Sequence, residues 1–140
     1  MIVNTNLLKF GAALLIGFGV LFVLSAWPPL AAPMTLLVDL FAWPLDGEQT
    51  LAAEATRLAL AIGGGVLAGW GGMIWLIATR LGERDPELAR SLVLGPVVVW
   101  FVLDCFGSIA AGVPLNVVLN LGFLALFFAA FRGEAKPSQA

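Results

Sequence analysis

The chain has 140 residues, 61% hydrophobic and 11% charged, with a net charge of −2. A soluble domain is roughly 45–50% apolar and about 25% charged. A one-domain length with a mean hydropathy of +1.01 therefore leaves more apolar surface than a water-facing fold can hide. The absence of His and the presence of a single Cys, Cys105, exclude His-ligated haem, His-rich metal sites, internal disulfides and a His general base; the slight acidity offers nothing to nucleic acid.

A spanning helix needs about 20 mostly apolar residues. Residues 7–26 form the first such stretch. Its apolar core, about 17 residues, exceeds the roughly 7–15 of a secretory signal's apolar region, so it reads as a retained span. Residues 27–54 form the longest connection, "WPPLAAPMTLLVDLFAWPLDGEQT" among them. Pro33 can open a short helix there, and Pro44 and Gly47 can close it. The stretch from Met34 to Trp43 is too short to span, and Leu36, Leu37, Leu40 and Phe41 recur at helical spacing. It reads as an interfacial helix, with Trp27 and Trp43 as anchors at the membrane surface. Its task is to cap the bundle or to serve as a lid or docking surface.

The second span covers residues 58–78, with its helix beginning nearer Glu48 or Thr50 and a Glu54–Arg57 pair on one face. Helices in lipid associate through close backbone approach at small residues. Gly65, Gly69 and Gly72 lie on one stripe of this helix, and Gly64, Ala68 and Gly71 on the next. Two small stripes predict two close neighbours and a central helix. The glycines sit inside an apolar helix, not between a strand and a helix, so they are no nucleotide-binding loop.

The charged loop 80–90 leads to a third span, 91–109, and a short turn leads to a fourth, 114–131. A polar tail, 133–140, follows. The chain is thus expected to be all-α, a single polytopic membrane domain over residues 1–132 with four transmembrane helices and a short interfacial helix in the outer loop. With both termini inside, six of the seven Lys and Arg residues (all but Arg57) face the cytoplasm. This is the bias that sets orientation.

Spans three and four carry polar side chains in an otherwise apolar setting. Asp104 and Ser108 are one turn apart on span three, and Asn116 and Asn120 one turn apart on span four. At about 1.5 Å per residue, Asp104 lies roughly 7 Å below the end of its helix, and Asn116 and Asn120 roughly 3 and 9 Å below the start of theirs. The four can converge in the outer half of the bilayer. Such residues are costly in lipid and point into the bundle. Arg57, at the outer rim of span two, is the expected cation for Asp104, its stem lying along apolar surface. The cluster is then either a lock on helix register or a small polar pocket open to the outside. Cys105 points to another face, about 100° round the helix, and is assigned no role. Trp70 and Trp100 read as packing residues, and Trp75 as an anchor near the inner surface.

The stretches "AIGGGVLAGWGGMIWL" and "DCFGSIAAGVPLNVVLN" resemble small four-helix inner-membrane proteins of bacteria. That resemblance implies a location in the bacterial inner membrane and no activity. Small multidrug transporters share the length and the four spans but use an embedded Glu in their first helix. No acidic residue stands in the first helix here.

No catalytic constellation is present, so no enzymatic activity and no cofactor or metal is expected. The first reading of function is an accessory or interaction subunit, with the lipid bilayer and a homo-oligomer or larger membrane complex as partners. The alternative is a small oligomeric transporter or ligand-binding protein using Asp104, Ser108, Asn116, Asn120 and Arg57.

Overall fold

The computed structural model describes residues 3–132. The expected polar tail, 133–140, lies outside the described residues. The structure is all-α, with no strand among the described residues. Five helices follow in order: α1, Thr5–Ser25; α2, Ala32–Ala42; α3, Glu54–Arg80; α4, Pro86–Ala110; and α5, Leu115–Ala130. A 3-10 turn, Pro28–Leu30, links α1 to α2.

Local chemistry fixes the helix starts. The Asn4 side chain accepts from the Leu7 amide at 3.0 Å and caps α1. Asp85 accepts from the Leu88 amide at 2.9 Å, and Pro86 follows at the first position of α4, where a missing N–H costs nothing. Pro33 stands in the first turn of α2, which ends at Ala42 before Pro44. Helix α3 begins at Glu54, later than its sequence suggests. The Arg57 guanidinium donates to the Ala52 carbonyl there and satisfies the chain at the helix entry, so the expected Glu54–Arg57 pair gives way to a backbone cap.

Helices α1, α3 and α4 are long and apolar enough to cross a membrane; α5 is apolar but has 16 residues. That is about 24 Å of helix, against a hydrocarbon core of about 30 Å. The expectation of four full-length spans is therefore corrected to three plus one shorter apolar helix. Helix α5 is short because Gly112, at φ +77°, and Pro114 form the turn before it, and regular helix stops at Ala130.

Helices α1, α3, α4 and α5 alternate in direction. At the end we call proximal, the Asn4 amide donates to the Ala130 carbonyl at 2.7 Å, and a Cβ on Gly82 would stand 2.7 Å from the Thr5 methyl. The start of α1 and the ends of α3 and α5 thus meet, with the α3–α4 loop beside them. The buried apolar core lies toward this end: Leu8, Ala12, Ile74, Val93 and Phe127 are its centre. Outside, Val66, Leu103, Phe106 and Val118 are more than 60% exposed, with further Leu, Ile and Val beside them. An exterior of that kind suits hydrocarbon, where no water competes for the backbone and none needs to be excluded.

The tightest seam joins α1 and α3. A Cβ on Gly64 would stand 2.5 Å from the Gly19 carbonyl oxygen, and one on Gly71 2.8 Å from the Ala12 carbonyl oxygen. Backbone lies on backbone. Gly64, Ala68 and Gly71 therefore face α1. Gly65, Gly69 and Gly72 face open space, with nothing within 4 Å of a Cβ built on any of them. Only one stripe has a neighbour among the described residues. The central helix is α1, which touches α2, α3 and α5, whereas α3 and α4 meet sparingly.

At the other, distal end, α2 lies across α1 and α5. Met34 and Asp39 are buried, while Leu36 and Leu40 face outward. Both carboxylate oxygens of Asp39 accept from the Gly47 amide, at 3.1 and 3.2 Å. This carboxylate, set in an otherwise apolar helix, clasps the loop that follows α2.

The two glycine stripes predict opposite responses. Gly64→Ala forces α1 and α3 apart and should lower stability by about 1–3 kcal/mol. Gly65→Ala meets nothing and should gain up to about 1 kcal/mol from helix propensity. Thermal unfolding of the two purified variants in the same detergent checks this.

Candidate functional site

Helices α4 and α5 form an antiparallel hairpin, and its distal half carries the polar residues. Asp104 stands between the two asparagines. Its Oδ2 accepts from Asn120 Nδ2 at 2.7 Å and from Asn116 Nδ2 at 3.3 Å. Asn116 Nδ2 also donates to Ser108 Oγ at 2.9 Å. The i, i+4 spacing on each helix puts both pairs on facing surfaces, so the four side chains close into one network. Ser108 and Asn120 are buried; Asp104 and Asn116 are half-buried.

Two sequence expectations change. Arg57 is not part of the network, because its guanidinium is held at Ala52, on the entry to α3. Cys105 does join it: Asn120 Nδ2 lies 3.6 Å from Cys105 Sγ. Residues 104 and 105 flank one groove of α4, and Asn120 inserts between them.

The network forms one wall of a cavity of about 460 Å³, within the roughly 300–1,000 Å³ of small-molecule sites. Every helix contributes to it. Phe18 and Phe22 come from α1, Leu37 and Phe41 from α2, Trp70 from α3, Trp100 from α4 and Phe123 from α5. The aromatic rings touch in series. Trp70 and Trp100 have ring centroids 5.7 Å apart, Trp100 and Phe123 6.2 Å, and Phe123 and Phe18 5.9 Å. Trp70 and Trp100, which read as packing residues, thus line a space. Sequence spacing could have placed both rings near Asp104's depth, but only the separation of α3 from α4 leaves them a void to line.

Gly63 and Val66 also line this cavity, and both are exposed on the flank of α3. The cavity therefore opens sideways there, between α3 and α4. Above it, α2 supplies a roof through Leu37 and Phe41. Trp27 and Trp43, at 62% and 63% exposure, stand at the distal end beyond the roof. Trp75 lies on the exposed side of α3, away from the cavity.

Chemically, the wall offers one carboxylate and two carboxamides beside an aromatic lining. Asp104 is the one carboxylate among the described residues that line the cavity. Among the described residues, no three Asp, Glu, His or Cys side chains gather as a metal site. No family model, curated protein or solved structure matches the chain.

The hydrogen-bond lengths predict unequal coupling. A double-mutant cycle with Asp104→Ala and Asn120→Ala should give an interaction at the upper end of the range for polar pairs between membrane helices, about 0.6–1.7 kcal/mol. The cycle with Asn116→Ala should fall at its lower end. Arg57→Ala should not couple to Asp104. Detergent unfolding midpoints supply all three values.

Proposed function

We propose that the protein is a multi-pass protein of the bacterial inner membrane that binds an amphipathic small molecule within its bundle. The observation carrying this reading is the lateral cavity, aromatic on most sides and polar on one. Energetics favour a functional role for the polar wall. A carboxylate at depth in a bilayer costs about 2.5–3.5 kcal/mol. Two interhelical hydrogen bonds return about 1–3 kcal/mol. The network at best offsets its own cost, and an apolar pair would hold the hairpin equally well. Retaining Asp104 makes sense if something in the cavity uses it.

In the proposed topology α5 is the fourth crossing. Its hydrogen-bonded register with α4 sets it beside the apolar part of that helix, and Phe128 shares a groove with Leu94 and Val98. Helix α4 extends beyond it toward the charged Glu87 and Arg90. A shortfall of several ångströms is absorbed by local thinning of the bilayer and by α2 lying over the start of α5. Both termini and the 80–90 loop then face the cytoplasm, following the positive charges.

A second reading, an accessory subunit, is supported by the open stripe of Gly65, Gly69 and Gly72, a surface on which another helix could lie closely.

Two experiments bear on these readings. Membrane-impermeant thiol reagent added to intact cells should label Glu48→Cys and spare Glu83→Cys, each in a Cys105→Ser background; the reverse pattern overturns the orientation. Native mass spectrometry of gently extracted protein should show a small amphiphile retained by the wild type and lost from Gly63→Phe, which narrows the lateral mouth where a new side chain meets nothing. Equal retention by both removes the cavity reading. A defined heteromeric mass without a ligand favours the accessory subunit.

A further inference from the structure

The polar wall specifies what kind of head group the cavity can hold. This step rests on the reading of the cavity as a binding site. An asparagine amide offers two donor protons and one acceptor oxygen, and an ionised carboxylate only accepts. Asn116 Nδ2 directs its donors to Asp104 Oδ2 and Ser108 Oγ. Asn120 Nδ2 directs its donors to Asp104 Oδ2 and Cys105 Sγ. Every amide donor is thus turned inward on the network. Oδ1 of Asp104 and the two amide oxygens receive no hydrogen bond from the described residues. They are not sealed in, for no buried side-chain oxygen or nitrogen among the described residues lacks a partner. All three residues line the cavity. What the wall presents is oxygen acceptors and a negative charge.

The cation expected to neutralise that charge is elsewhere. Arg57 is engaged at Ala52. Lys9, Arg80, Arg84, Arg90 and Arg132 belong to the proximal half of the fold, away from the α4–α5 turn. The aromatic series beside Asp104 adds a second attraction for positive charge, through the ring faces, and a lining suited to an apolar body.

We infer that the cavity binds a lipophilic ammonium ion with N–H donors. Its head sits at Asp104, Asn116 and Asn120, and its apolar body lies among Phe18, Trp70, Trp100 and Phe123. It enters from the bilayer past Gly63 and Val66. A carboxylate or phosphate head is disfavoured at this wall, since at Asp104, Asn116 and Asn120 it would meet acceptors and a like charge.

The test uses the full chain in phosphatidylcholine nanodiscs, titrated with dodecylammonium, dodecanol and dodecanoate. Tryptophan fluorescence is the readout, since Trp70 and Trp100 line the site. Gly63→Phe supplies the background from partitioning into the disc. The ammonium brings a positive charge and three donors where the alcohol brings one, so dodecylammonium should bind about tenfold or more tightly than dodecanol, with dodecanoate weakest. Asp104→Asn should abolish the preference. Equal binding of amine and alcohol, or preference for the carboxylate, overturns the inference while leaving the cavity reading intact. If none of the three exceeds the Gly63→Phe background, the cavity reading itself fails. Repeating the titration in phosphatidylethanolamine discs separates two sources of the same head group. Competition by the lipid assigns the site to a lipid ammonium, and undiminished amine binding assigns it to a free amine.

Discussion

The structure depends on the backbone contact between α1 and α3. In lipid there is no hydrophobic drive to bring helices together, so closeness must come from shape. Gly19 and Gly64 supply it, where a single added carbon would stand 2.5 Å from a carbonyl oxygen. Once α3 is committed to α1 along that seam, it is not free to follow α4. The α4–α5 hairpin is left to attach through α5 to the other side of α1, where Gly11 admits Leu126 and Phe127. The bundle closes at the proximal end, where the chain termini of the helices are tied, and stands apart at the distal end. The cavity is thus a consequence of packing, and the aromatic side chains line it without filling it.

Polar chemistry then acts on the one hairpin that packing leaves least constrained. Helices α4 and α5 are joined by a short turn, and the Asp104–Asn120 and Asp104–Asn116 bonds fix their register. The same bonds turn the amide donors away from the void. On the proposed reading, structural and binding roles share atoms: the network holds the hairpin while leaving its oxygens unused.

Much of this was legible in the sequence. The i, i+4 spacing of Asp104 with Ser108 and of Asn116 with Asn120, with a Gly-Pro turn between, was enough to bring the four together. The short helix α2 followed from Pro33 and Pro44. Other features depend on rotations that spacing does not report. Which glycine stripe meets a neighbour is decided by how α3 turns about its axis. Gly64 and Gly65 are adjacent, and only one is in contact. Arg57 is the cation expected at Asp104, but its guanidinium is held by the Ala52 carbonyl, a partner that side-chain spacing does not report. The length of α5 was blurred by apolar residues on either side of its regular helix. The cavity left no signal at all, because a Trp beside a void and a Trp in a core have the same neighbours in sequence.

The clasp between Asp39 and the Gly47 amide has a kinetic corollary. It binds the roof helix to the loop behind it, so the distal end is closed by one tied unit and not by a loose segment. In the proposed topology, the open flank at Gly63 faces the acyl chains. On the proposed reading, the site is then in equilibrium with the membrane phase and not with the aqueous one. Its occupancy follows how much of a compound the bilayer has taken up, and a molecule of modest intrinsic affinity can saturate it once partitioning has concentrated it there. Selectivity would be set in two stages, first by solubility in lipid and then by the head group.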